Sequence, residues 1–352
     1  MVEMVVSIMR EVEGNSTSAG QRSVLEVEGL TKVFPVRAGI LQKIIGELRA
    51  VDDVSLVIKA GETFGLVGES GCGKSTLARC ILRSIPATSG RVIYHPLDGS
   101  PVDLFGLAPS ELRNVRAKMQ MVFQDPYSSL DPRMSVLDII GEPLSIIHTP
   151  WSQLVERVQE LMKLVGLNPQ YMRRYPHAFS GGQRQRIAVA RALATQPRFI
   201  VCDEPVSALD VSVRAQVINL LLDLQAQLGI AYLLVSHDIG VIRHVSHTVG
   251  VMYLGKLVEM APSEELFASP KHPYTAGLLE SVLEPDPRQI SLRAVMSGEV
   301  PNPTSPPSGC HFHPRCRFVQ DICRREVPKF EEISQNHSVA CHFSSTISLQ
   351  GI

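Results

Sequence analysis

Residues 68–76 of this 352-residue chain read Gly-Glu-Ser-Gly-Cys-Gly-Lys-Ser-Thr. They match G-x-x-x-x-G-K-[ST], a phosphate-cradling P-loop, and no other stretch limits the fold as strongly. Such a loop needs a buried strand before it and a helix after it. Thr63–Val67 is an apolar run of strand length, and Leu77-Ala78-Arg79-Cys80-Ile81-Leu82 reads as a helix. Gly68, Gly71 and Gly73 let the backbone approach an anion and turn its N–H groups inward, with Ser70, Cys72 and Thr76 completing the loop. The helix adds the positive end of its dipole. Lys74 supplies a cation for the β- and γ-phosphates, and Ser75 a hydroxyl for Mg²⁺, which requires oxygen ligands. A Gly/Ser-rich turn that binds nothing is the bland alternative, and the full pattern between strand and helix argues against it.

Bulk properties narrow the partners. The net charge is −1, so no global pull toward nucleic acid or anionic lipid is expected. Apolar residues make up 44% of the chain, enough for a proper core, and the length suggests two domains or one with an appendage. Seven cysteines are unevenly spread: Cys72, Cys80 and Cys202 stand singly, whereas Cys310, Cys316, Cys323 and Cys341 crowd the end. That distribution argues against a secreted disulfide scaffold. No run of 18 apolar residues is present. Glu3, Arg10, Glu11 and Glu13 interrupt the N-terminal apolar stretch, which reads as a flexible tail over 1–23 and not as a signal peptide. The chain is expected to be intracellular, able to dock on a membrane protein.

Further motifs fall at the ends of expected strands. Val24–Leu30 alternates like a strand with one wet face, and Val51–Ile58 reads as a second strand after a loop over 37–49. Phe34 serves either as a stacking face for adenine or as an ordinary core residue. Gln124 ends an expected strand over Lys118–Phe123, at an edge where function concentrates, although a turn residue would look the same. Ser180-Gly181-Gly182-Gln183 opens an Arg/Ala-rich helix, suited to an anion or simply an N-cap. Arg198–Cys202 is apolar and ends in Asp203 and Glu204, so one carboxylate can face Mg²⁺ while the next addresses water. His237 again follows a buried strand, Ile230–Val235, where a phosphate contact is the better reading.

Together these segments resemble the ATP-binding subunit of an ABC transporter. GESGCGKS, Gln124, SGGQ, IVCDEP, the loop Ser207-Ala208-Leu209-Asp210 and His237 occur in that family's order. QDPYSSLDPR at 124–133, SPKHPYTAGLLES at 269–281 and the cysteine-rich end are similar to the dipeptide, oligopeptide and nickel importer ATPases. Phe34 stands where Tyr is common, and Phe179 where Leu is usual. The resemblance implies an α/β fold with a P-loop NTPase (RecA-like) core. It also implies an antiparallel β-subdomain and a helical signature subdomain over about 125–190, within a nucleotide-binding domain at 24–262. A small Cys-rich extension would occupy 263–352.

In the implied mechanism Phe34 and the P-loop hold ATP, while Ser75, Gln124 and Asp203 hold Mg²⁺. Ser180, Gly181, Gly182 and Gln183 of an opposing subunit cover the γ-phosphate. Glu204 orients or deprotonates water, and His237 and Lys74 contact phosphate. Implied partners are two permease subunits and a second ATPase, more readily a different chain than a copy. An extracytoplasmic binding protein is indirect, and the chain would sit on the cytoplasmic face of the membrane.

The four late cysteines suit either Zn²⁺ or an iron–sulfur cluster by chemistry. Absence of CxxC pairs leans away from zinc, while His311, His313 and His342 keep it open. The resemblance favours a [4Fe–4S] cluster with a structural role. Rival readings are a repair or translation ATPase without a permease, and an added metal-dependent interaction module. The two carboxylates follow the P-loop too closely in sequence for the long coiled coil of repair members.

Overall fold

A computed structural model of the chain describes residues 22–39, 43–125, 128–280 and 298–351. The expected N-terminal tail up to residue 21 and part of the loop after Gln124 lie outside these residues. The strands are β1 (Ser23–Ala38), β2 (Lys43–Lys59), β3 (Thr63–Val67), β4 (Ser89–Tyr94), β5 (Val102–Asp103), β6 (Met119–Val122), β7 (Phe199–Asp203), β8 (Ala231–Val235), β9 (Thr248–Tyr253), β10 (Lys256–Pro262), β11 (Glu331–Ser334) and β12 (His337–Val339). They form two sheets among the described residues, a four-stranded one ordered β2-β1-β4-β5 and an eight-stranded one ordered β11-β12-β10-β9-β3-β8-β7-β6.

The larger sheet carries the site. β6, β7, β8, β3 and β9 run parallel, while β10 pairs antiparallel with β9 and with β12. Every residue of β3, β7 and β8 is buried, as a parallel sheet covered on both faces requires. The pleat sorts these side chains into two cores. Ile200, Cys202, Tyr232 and Leu234 join one cluster, and Phe199, Val201, Leu233 and Val235 join the other. Because the strands are parallel and in register, Leu66 and Asp203 both pair with Val235. The C-terminal ends of β3, β7 and β8 therefore lie side by side, where open α/β sheets bind ligands.

Three helices, Val136–Ile146, Trp151–Leu164 and Gly181–Leu193, pack on the first core. Leu154, Val158, Leu161 and Val165 are buried as their spacing predicts. Gly166 adopts a left-handed φ of 72° just past the helix end, and Gly229 (φ 64°) closes Val211–Leu228.

The expected loop over 37–49 is corrected. β1 runs to Ala38 and β2 starts at Lys43, with Arg37 paired to Ile44 and Phe34 to Leu48. The ribbon extends beyond the core, leaving Ile44 and Ile45 57% and 66% exposed. Burial therefore imposed no alternation that a sequence pattern could register. At the other end, residues after 262 are continuous with the core: β12 adds to β10 through Glu259–Val339 pairing.

Candidate functional site

The phosphate loop is fixed by backbone. Lys74 opens the helix Lys74–Ile81, capped by Gly73 at φ 112°. A side chain at Gly73 would collide with the Ala50 carbonyl, and one at Gly68 (φ 149°) with that of Met252. Both positions combine close approach with a left-handed backbone, which is why glycine stands there. The β9–β10 turn, Leu254 (φ 44°) and Gly255 (φ 84°), clamps the loop, its Gly255 N–H donating to the Cys72 carbonyl at 2.9 Å.

Lys74 is buried and donates to the carbonyls of Gly68 (2.7 Å) and Glu69 (3.0 Å). Its ammonium is thus held in the loop that it would share with phosphate. The Ser75 hydroxyl donates to Asp203 Oδ1 at 2.8 Å. Burial pushes the Asp203 carboxyl above the usual range, and the Ser75 hydrogen bond opposes that rise. A hydroxyl beside a carboxylate at the phosphate end of the loop is an oxygen donor set that fits Mg²⁺.

Glu204 gathers the remaining chemistry. Gln124 Nε2 donates to its Oε2 at 2.7 Å, and His237 Nδ1 lies 3.3 Å from the same oxygen. Glu204 itself has φ 48°, a left-handed conformation costly for a residue with a side chain and frequent at functional sites. Its N–H donates to the Val235 carbonyl (2.9 Å), and its own carbonyl accepts from the Ser207 hydroxyl (3.1 Å). Residues from three strand ends, β6, β7 and β8, are thereby joined in one cluster.

Phe34, Ser70–Thr76, Gln124 and Glu204 line one cavity of about 320 Å³, a size suited to a small-molecule ligand. Phe34 is half-buried, with the Lys32 ammonium 4.8 Å from its ring centre. Asp203 reaches the cavity through Ser75, and His237 through Glu204. The signature residues do not join it. Ser180 caps the helix Gly181–Leu193 and exchanges a capping box with Gln183 at 3.1 and 3.4 Å. Gly182 packs so closely on Val213 that a side chain there would overlap it.

Sequence reasoning missed other cavity residues: Arg49 and Ala50 from β2, Gly255 from the clamp, and Pro303 from far along the chain. It also missed Tyr274 and Arg315, which hold Glu69 from 205 and 246 positions away. No local pattern signals contacts so distant in sequence.

The late cysteines converge. Cys310, Cys316, Cys323 and Cys341 line a second cavity with His272, His313 and His342. Burial pushes Cys310 up to about 12 and Cys341 up to about 11, and raises Cys316. Yet among the described residues no group of three His, Cys, Asp or Glu side chains is arranged to hold a metal ion. None of the four is in a disulfide, and all four face one cavity.

A P-loop on a mixed α/β sheet, with a carboxylate pair, a glutamine and a histidine at adjoining strand ends, defines an ATP-binding cassette. Comparisons agree. The ABC transporter family model matches residues 51–207, and that of the oligopeptide/dipeptide transporter C-terminal region matches 258–323. The oligopeptide transport ATP-binding protein AppF of Bacillus subtilis (strain 168) is 47% identical over 336 residues, covering 94% of this chain and 100% of that protein. The di/tripeptide transport ATP-binding protein DppF of Pseudomonas aeruginosa (strain UCBPP-PA14) is 47% identical over 324 residues, 91% of this chain and 97% of that one. The dimeric ATP-binding cassette MJ0796 with ADP and Pi superposes with a TM-score of 0.58 at 28% identity, covering 68% of this chain and 98% of that one. The chain belongs to the ATP-hydrolysing subunits of ABC transporters, in the oligopeptide/dipeptide branch.

Proposed function

We propose that the chain hydrolyses ATP to drive import of di- or oligopeptides through a membrane permease. The matched peptide-transporter region at 258–323 and the full-length likeness to peptide-transport ATPases carry the substrate class. Both favour peptides over nickel and over a soluble ATPase.

The geometry suggests how each side chain acts. Phe34 would stack on adenine, and the N–H groups of Ser70–Thr76 would cradle the phosphates. Lys74 would leave the Gly68 carbonyl for a phosphate oxygen. Ser75 and Gln124 would hold Mg²⁺, with Asp203 oriented behind Ser75. When bound, Mg²⁺ would supply positive charge that offsets the charge of the phosphates. Glu204, oriented by Gln124 and His237, would align the attacking water and take its proton. Ser180–Gln183, outside this cavity, would serve the site of an opposing ATPase, which we take to be a different chain.

Two permease subunits and, indirectly, an external binding protein complete the reading. Among the described residues no helix is long and apolar enough to cross a membrane, in keeping with a peripheral subunit on the cytoplasmic face. We divide the chain at 24–262 for the cassette and 263–352 for a Cys-rich extension. The four cysteines there offer the donor set of a [4Fe–4S] cluster, with zinc as the second candidate. Anaerobically purified protein is expected to contain iron and acid-labile sulfide; zinc instead, or no metal, would overturn the cluster.

Uptake in cells whose only copy carries Glu204→Gln tests the function. Loss of labelled peptide uptake with normal nickel uptake is expected. The reverse would move the chain to the metal importers, and no change in either would remove the permease coupling.

A further inference from the structure

The second residue of the P-loop is gripped from the far end of the chain. Arg315 lies in a turn between Cys310 and Cys316, and its guanidinium meets the Glu69 carboxylate with both prongs, Nη1–Oε2 2.8 Å and Nη2–Oε1 2.9 Å. The Arg315 side chain is 6% exposed and that of Glu69 24%, so solvent screens the pair weakly. The Glu69 N–H donates to the Tyr274 hydroxyl at 2.9 Å. Tyr274 is fully buried, 4.7 Å from Tyr253 and 5.4 Å from Phe312 between ring centres. Phe312 belongs to the same cysteine-bearing turn, and its carbonyl accepts from the Arg315 N–H at 3.0 Å. The Glu69 carbonyl in turn accepts from Lys74.

A carboxylate inside a loop built for a polyanion is electrostatically adverse. Left alone, Glu69 would repel the incoming phosphates and compete for Lys74. A planar guanidinium that meets it bidentately removes the charge and fixes the direction of the side chain at once. The grip on the Glu69 N–H and carboxylate does not use Lys74, so it persists when Lys74 turns to phosphate.

We propose that Arg315 is a positioning residue for ATP binding: it neutralises and orients Glu69, so that the cysteine-bearing segment sets the affinity of the P-loop. It rests on the assignment of residues 68–76 as the nucleotide site. Neither family region nor sequence motif points to this pair, which joins the part matched at 51–207 to the part matched at 258–323.

The experiment measures binding of fluorescent ATP and ADP analogues, with thermal unfolding, on the full-length chain. Arg315→Gln should weaken ATP binding about tenfold, and ADP binding less, since ADP carries less negative charge. The loss should shrink at high salt. Adding Glu69→Gln to Arg315→Gln should restore ATP affinity to within about twofold of the unsubstituted chain, even where the melting temperature stays low. A merely structural staple predicts the opposite: the double variant binds as weakly as the single, or both bind normally and only the melting temperature falls. Should Arg315→Gln fail to fold, Glu69→Gln alone decides. It leaves the Arg315 cation unopposed and should tighten ATP binding; weaker binding overturns the proposal. Failure of the unsubstituted chain to bind ATP would instead remove the nucleotide-site assignment, and this proposal with it.

Discussion

At the residue scale the site turns on Glu204. One carboxylate oxygen accepts from Gln124 and faces His237, and the backbone beneath holds a left-handed conformation. Glutamine fills the same volume and keeps a carbonyl oxygen for Gln124, but it takes no proton. Glu204→Gln should therefore bind ATP normally and hydrolyse it about 10²–10⁴-fold more slowly, the range for loss of a positioned base. Single-turnover hydrolysis beside nucleotide binding checks this, and unchanged turnover would remove Glu204 from its role. Residues of this kind were legible in the sequence because each ends a buried apolar strand, and adjoining strand ends in a parallel sheet must meet. Gln124 and His237 follow β6 and β8, and Asp203 is the last residue of β7. The position of Arg315 was not legible, since its partner lies 246 residues earlier and nothing in the intervening pattern encodes the pairing.

At the scale of elements, β12, between β11 and β10, is stapled to the sheet by one imidazole. His337, fully buried, lies 2.8 Å from Glu259 of β10 and 2.8 Å from Glu265 of the helix Ser263–Ala268. Glu259 also accepts from the backbone of Lys271 and His272. Burial alone would lower His337, but its hydrogen bonds to the two glutamates outweigh burial and hold it above 6.5. The His337 hydrogen bond, and less so the nearby Lys271 charge, holds Glu265 below 4.5. A raised histidine contributes stability that is complete below its unfolded value and is lost as pH rises through the folded one. A lowered glutamate contributes stability present above its unfolded value and lost as pH falls through the folded one. The staple is therefore strongest between about pH 4.5 and 6.5. His272, buried and depressed to about 4, opposes this by losing stability over the same acid range. Comparing the unsubstituted chain with His337→Gln at each pH cancels that contribution. The difference should reach about 3 kcal/mol near pH 5.5, because the variant removes the cation facing buried Glu259 and leaves it only the backbone N–H groups of Lys271 and His272. It should shrink above the folded value of His337. Denaturant midpoints across pH measure it; a difference flat in pH would mean a neutral imidazole throughout. Sequence patterning found the amphipathic helices and missed this staple. Burial period is a local signal, and β12 owes its place to a polar contact with a strand some 78 residues earlier.

At the scale of the molecule, the sequence motifs divide into two groups that one chain does not bring together. The P-loop, Gln124 and Glu204 share a cavity, while Ser180–Gln183 cap a helix elsewhere. If each group serves a different site of a two-ATPase assembly, Lys74→Ala and Gly181→Asp disable different sites. Lys74→Ala removes the cation of this chain's own cavity. Gly181→Asp places a carboxylate at a helix N-terminus, which the dipole favours, so the fold persists while a facing γ-phosphate is repelled. In the assembled importer, Gly181→Asp should leave ATP bound in this chain's cavity and stop hydrolysis opposite it, whereas Lys74→Ala should empty this cavity. Photo-crosslinking with labelled azido-ATP, read chain by chain, separates the two effects. The double variant should then be worse than either single one, because the losses fall on separate sites and add. If the signature served the cavity of its own chain, both substitutions would strike one site, and the double variant would be no worse than Lys74→Ala alone.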